Sequence, residues 1–148
     1  MGATIMCNQK TFLTVSLLAL CGVAFVVCRA GDDKPAGKER FFEMRTYVAA
    51  PGKLDALNAR FRTHTNKLFV KHGMELVGYW TPADGAAAQN TLIYILAYPS
   101  KEAREKAWKE FQEDAEWKRV RAESEADGKL VEKVESVFMK PTDYSPIK

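Results

Sequence analysis

FFEMRTYV, residues 41–48, is dense in aromatic and β-branched side chains and stops at Pro51-Gly52, which reads as a β-strand running into a turn. Strand alternation puts Phe42, Met44, Thr46 and Val48 on one side of it and Phe41, Glu43, Arg45 and Tyr47 on the other. Downstream, Leu54, Leu57, Phe61, His64 or Thr65, Leu68 and Lys71 recur at three- and four-residue steps, and Gly73 follows. That is an amphipathic helix with a glycine at its C-terminal end. Met74 to Trp80 (MELVGYW) and Thr91 to Tyr98 (TLIYILAY) are two more strand segments, and the short loop between them, with Pro82 and Gly85, suits antiparallel neighbours. Ser100 can cap a second helical region whose buried stripe is Ala103, Ala107, Trp108 and Phe111. The pattern continues past a bend near Asp114, through Trp117 and Val120, until Asp127-Gly128. Leu130 to Met139 (LVEKVESVFM) is a last strand, and Pro141 to Lys148 a C-terminal tail.

The order strand, helix, strand, strand, helix, strand predicts an α+β, ferredoxin-like βαββαβ domain over 41–140, with helices on one face of a four-stranded antiparallel sheet. In the third strand Ile93 and Ile95 alternate with Leu92, Tyr94, Leu96 and Tyr98, so both sheet faces are substantially apolar. An uncovered apolar face is a large exposed patch, and a second copy of the chain is the usual cover. A homodimer through the sheet face is therefore expected.

Upstream of this domain, Phe12 to Val27 (FLTVSLLALCGVAFVV) follows the lone Lys10 and precedes Cys28-Arg29-Ala30. Residues 1–30 thus have the layout of a secretory signal, with Ala30 offering a small residue for cleavage. The apolar run is somewhat short for a permanent span, which ordinarily takes about 18–20 residues. An uncleaved anchor is the alternative, and Cys28 invites a lipoprotein reading that the bulky Val27 disfavours. The expected destination is periplasmic or secreted, with contact to a membrane only through an uncleaved leader. Gly31 to Arg40 (GDDKPAGKER) reads as a flexible linker. All three cysteines lie in the leader, so the domain beyond it offers no disulfide, Cys-rich zinc site or cysteine nucleophile. Removing Lys10 and Arg29 with the leader leaves 20 of the 22 basic residues against 19 acidic ones, which gives no electrostatic reason to expect nucleic acid.

Particular residues carry a resemblance as well. Phe42-Glu43-Met44-Arg45-Thr46-Tyr47, Pro51-Gly52-Lys53, His72-Gly73, Gly78-Tyr79-Trp80, Leu96-Ala97-Tyr98, and Trp108 with Phe111 before Asp114-Ala115-Glu116-Trp117 occur in the order and spacing of the NIPSNAP family. The chain resembles that family from about Phe41 to Met139. The resemblance implies a dimeric α/β barrel built from ferredoxin-like subunits, and it implies no particular reaction. Ala115 stands where many members have proline, which suggests a shallower bend in the second helical region. Tyr94 stands where many have histidine, so chemistry assigned to that histidine does not carry over.

Six residues stand out as ligand-binding candidates. Glu43 and Arg45 share a strand face, where a guanidinium fork could hold a carboxylate or phosphate. The plainer reading is an ion pair that neutralises charge inside the barrel or across the dimer. His64, on or beside the helix stripe, could act as a base or simply be a hydrogen-bonded core histidine. Tyr47, Trp80 and Tyr94, with Tyr79 and Tyr98, could line a pocket for a flat aromatic ligand or supply core bulk. His64 and His72 lack the i,i+4 spacing of a metal pair, so no metal site is expected, and no motif calls for a cofactor. Catalytic residues are not identifiable from this pattern. The expected activity is that of an exported, homodimeric binding module for a small apolar or aromatic ligand. The alternatives are a cofactor-independent monooxygenase or isomerase using the same pocket, and a structural or partner-binding dimer of the cell envelope.

Overall fold

The computed structural model describes residues 40–148. The leader and the linker up to residue 39 lie outside the described residues. From there the chain runs β1 (Phe41–Ala49), α1 (Leu54–Arg60), a π-helical turn (Phe61–Thr65), α2 (Asn66–Lys71), β2 (Glu75–Trp80), a 3-10 turn (Ala86–Gln89), β3 (Thr91–Tyr98), α3 (Lys101–Glu113), α4 (Ala115–Ser124) and β4 (Val131–Met139). The strands form one sheet in the order β2-β3-β1-β4, with every neighbouring pair antiparallel. This is the expected ferredoxin-like α+β arrangement, and it places the FFEMRTYV strand in the interior of the sheet.

Local chemistry explains the element ends. Ser100 leaves the helical region and its hydroxyl accepts from the Ala103 amide at 3.2 Å, starting α3. Gly73 follows α2 with φ at +78°, the left-handed geometry that closes helices. Asp114 has an extended backbone (φ −60°, ψ 127°) and its carboxylate accepts from the Glu116 and Trp117 amides, so α3 ends outright and α4 begins on a fresh cap. The helix is broken at this aspartate without a proline at position 115.

Alternation along β1 and β3 sorts the two sheet faces as expected. Leu92, Tyr94, Leu96 and Tyr98 are buried against Leu57, Phe61, Leu68 and Phe69 of the first helical segment and Ala107, Trp108 and Phe111 of α3. Fully burying one such large side chain is worth about 1.5–3 kcal/mol, so this layer is the main source of stability. Glu43, Arg45 and Tyr47 oppose Leu96, Tyr94 and Leu92 across the ladder and therefore also face the helices. The opposite face carries Met44, Thr46, Val48, Ile93 and Ile95, with Val137 half-exposed beside them on β4. No helix covers it. The tail folds back toward it, so that Pro141, Ser145 and Ile147 share a shallow groove of about 290 Å³ with Phe42, Val77, Ile95 and Met139.

Two irregularities change what simple periodicity predicts. In β2 the register shifts between Leu76 and Gly78, so Leu76 and Tyr79 both oppose helix-facing residues of β3 while Trp80 opposes Ile93 on the open face. In the first helical segment the π-turn takes more residues per turn, and the next fully buried position after Phe61 is Thr65. His64 is left on the flank of the helix, only partly buried.

Candidate functional site

The site begins with a carboxylate that has no access to solvent. Glu43 sits in β1 beneath α3, where burial by itself would raise its pKa. Hydrogen bonds and charge from Arg104 and Arg45 outweigh that cost and hold the group ionised, below the ordinary glutamate range. Arg104 donates from Nη2 to Oε1 at 2.7 Å and from Nε to Oε2 at 2.9 Å, a bidentate clamp that reaches down from α3. Arg45 donates from Nη1 to Oε1 at 2.7 Å. The Trp108 indole N–H lies 3.0 Å from Oε2 and 2.8 Å from the Tyr98 hydroxyl, which itself donates to Oε2 at 3.2 Å. One carboxylate thus ties two strands to one helix and holds two guanidiniums beside Trp108, their Cζ atoms 4.2 Å and 5.5 Å from its ring centroid.

Arg45 connects this buried cluster to a groove. Its side chain is only 12% exposed, and it lines a cleft of about 630 Å³ between β1, β4 and the helices α3 and α4. Tyr47, Phe61, Phe69, Trp108, Phe111 and Trp117 supply the aromatic walls. They are locked by mutual packing, with ring centroids 4.5 Å apart for Phe111–Trp117, 4.9 Å for Phe69–Phe111 and 5.5 Å for Phe69–Trp108. At the other end, Arg60 reaches from α1 to Ser124 Oγ (3.1 Å) and Glu125 Oε1 (2.9 Å), with its guanidinium over the Trp117 ring. The rim adds Lys118, Arg121 and Lys129 against Glu125 and Glu132.

The candidates drawn from the sequence divide by this geometry. Arg45 and Tyr47 line the groove, and Glu43 stands behind Arg45 as its anchor. Tyr94 lies beneath, fully buried, its ring 5.2 Å from that of Tyr47 and its hydroxyl without a hydrogen-bond partner among the described residues. Burial pushes the Tyr94 phenol well above the ordinary range, so at neutral pH it is an uncharged O–H. Trp80 and His64 do not join them. Trp80 is half-exposed on the open face, where its ring lies against Gly78, and His64 is not among the groove-lining residues. Glu43 and Arg45 pair with each other within the chain, under the helices and on the side away from the open sheet face.

Arg104, Arg60 and the role of Trp108 as a donor escaped the sequence reading. Arg104 sits among alternating charges on α3 that look like a solvated helix face, and Arg60 has a cationic neighbour in Arg62 with nothing local to set it apart. A third cluster was equally silent: Asp114 Oδ2 accepts from Lys71 Nζ at 2.7 Å and lies 2.9 Å from His72 Nε2, clipping the end of α2 to the start of α4. Bonds from Lys71 and His72, opposed by burial and helped by the two cap amides, hold the Asp114 carboxyl far below the ordinary aspartate range.

Among the described residues no group of histidine, cysteine and acidic side chains is placed to hold a metal ion, and no helix is long and apolar enough to cross a membrane.

A βαββαβ sheet with helices on one face, an open apolar face and a groove between sheet and helices defines a subunit of the dimeric α/β-barrel class. Within that class the chain belongs to the NIPSNAP family, whose profile matches residues 42–146. A NIPSNAP family protein of unknown function from Agrobacterium tumefaciens is 27% identical, aligning 76% of this chain with 96% of its own at a TM-score of 0.65. A second Agrobacterium tumefaciens family member is 23% identical over 74% and 99% of the two chains, with a TM-score of 0.64. A NIPSNAP domain protein from Burkholderia xenovorans is 24% identical over 72% and 98%, at 0.61. Among curated proteins none matches the chain significantly.

Proposed function

We propose that this NIPSNAP-domain protein is an exported, homodimeric binding module whose groove between sheet and helices takes a small aromatic molecule. The observation that carries the reading is the groove itself: about 630 Å³, walled by six aromatic side chains, with the partly buried Arg45 and the Tyr47 hydroxyl as polar fixtures. Concavities that join aromatic walls to fixed polar groups are the ordinary form of small-molecule sites. The homodimer follows from the open face, where Ile93, Ile95, Met44 and Val137 form an apolar surface without a helical cover. Export rests on the apolar leader Phe12 to Val27. Binding is favoured over turnover because His64, the histidine best suited to accept a proton, lies outside the groove lining.

Native mass spectrometry of the chain expressed in a secreting host tests these elements together. The expected product is a dimer lacking residues 1–30 and carrying a reproducible small-molecule mass. A monomer at micromolar concentration overturns the dimer, retention of the leader overturns cleavage, and a dimer that neither retains nor takes up aromatic compounds overturns the binding role.

A further inference from the structure

Resting on the groove reading above, we infer that the ligand is an aromatic carboxylate, with its ring against the groove-facing sides of Tyr47, Trp108 and Trp117 and its acid group held by Arg45 and Tyr47. The first argument is charge. Glu43 is one carboxylate shared by two guanidiniums, Arg45 and Arg104, so the cluster at the base of the groove carries an excess positive charge. The groove lining repeats that imbalance, with Arg45, Arg60, Lys118, Arg121 and Lys129 against Glu125 and Glu132. A largely buried cation such as Arg45 interacts more strongly with an anion than one in bulk water does.

The second argument is unused donor capacity. A guanidinium has five N–H groups. Among the described residues, Arg45 commits Nη1 to Glu43, makes only a long 3.5 Å contact from Nη2 to the Tyr47 hydroxyl, and has no partner for its buried Nε. Tyr47 accepts that contact and lines the groove, with the Tyr94 phenol as its buried neighbour, so its own O–H can be directed to a ligand oxygen there. Arg45 Nη2 and the Tyr47 hydroxyl are therefore neighbouring donors, a pair that matches the two oxygens of a carboxylate. The third argument is shape: Trp108 lies 4.2 Å from the Arg45 Cζ, so the donor and the aromatic wall are contiguous. An aromatic ring bearing its acid directly spans both.

The test is isothermal titration of the full chain with 2-naphthoate and its neutral isostere 2-naphthamide at fixed salt, repeated with Arg45→Gln and Tyr47→Phe. Arg45→Gln is expected to fold, because Glu43 keeps Arg104, Trp108 and Tyr98 as donors. A thermal melt of each variant checks this. A charge-assisted bond to a buried partner makes the acid about 10- to 100-fold tighter than the amide in the parent protein. Arg45→Gln should abolish that preference while still binding the amide, and Tyr47→Phe should reduce it about 3- to 10-fold. Equal affinity for acid and amide overturns the carboxylate assignment and leaves the aromatic groove standing. Absence of binding for both compounds overturns the groove reading together with it. A preference that survives Arg45→Gln moves recognition to the rim lysines and overturns the role of Arg45.

Discussion

The two faces of the one sheet are built on opposite terms. Toward the helices, β1 presents Glu43, Arg45 and Tyr47, each fixed by named partners at defined distances. Toward the open side the same strand presents Met44, Thr46 and Val48, flanked by Ile93, Ile95 and Val137, which offer area and shape but few directional bonds. The closed face specifies a geometry, because a buried charge tolerates little displacement of its partners. The open face supplies a surface, and its energetics scale with the area it can hide. Recognition of a small molecule belongs to the first and assembly to the second.

The sharpest way to break this contrast is Glu43→Ala. It strands two arginines and the Trp108 and Tyr98 donors in a dry layer, and removing one partner of a buried pair costs about 3–5 kcal/mol. Urea unfolding should show a loss of that size, together with loss of aromatic binding. An effect below about 1 kcal/mol would mean that the network does not organise the closed face.

Ile95→Lys acts on the opposite face of the same sheet. The expected result by light scattering is a particle of half the mass, with cooperative unfolding and the groove's acid preference both retained. A dimer that persists would place assembly elsewhere on the molecule. If acid preference collapses as well, the two faces are coupled and the contrast drawn here fails.

The smallest effects belong to Asp114, which touches neither face. Asp114→Ala removes the α4 cap and should cost about 0.5–2 kcal/mol, while Asp114→Asn keeps a capping oxygen and should cost less. The folded carboxyl is held below its unfolded value, so its stabilisation is present above about pH 4 and is lost as pH falls through and below that value. Urea midpoints at pH 7 and pH 3 should therefore differ less for Asp114→Asn than for the parent. Glu43, also lowered, keeps its own share of that acid sensitivity in both proteins. An unchanged pH dependence would show that the Lys71 and His72 contacts contribute nothing measurable.

Much of the fold is legible in the chain because it is written at short range. Strand alternation in FFEMRTYV and TLIYILAY, the Ser100 cap and the turn glycines each act within a few residues, and together they admit one order of elements. The site is less legible, for two physical reasons. Its partners are distant in sequence: Glu43 is satisfied from Arg104 and Trp108, and Arg60 from Glu125, with no local mark on any of them. Its periodicity is also interrupted, since the β2 bulge puts Leu76 and Tyr79, three residues apart, on one face, and the π-turn leaves His64 on the flank while burying Thr65. Arg45, Tyr47 and Tyr94 lie on the face their spacing predicts because they belong to regular strands, where spacing alone decides the side.

Arg40, at the start of the described chain, donates to the backbone carbonyl of Lys148 and also bonds Glu75. The two ends of the domain are therefore joined at one point beside the β2 edge. Such a chain suits circular permutation: a short linker from 148 to 40, with new ends opened in the exposed loop around Asp84 and Gly85, would leave every strand pairing in place. It also means that a reporter or solid support attached after Lys148 would leave from the corner that Arg40 occupies.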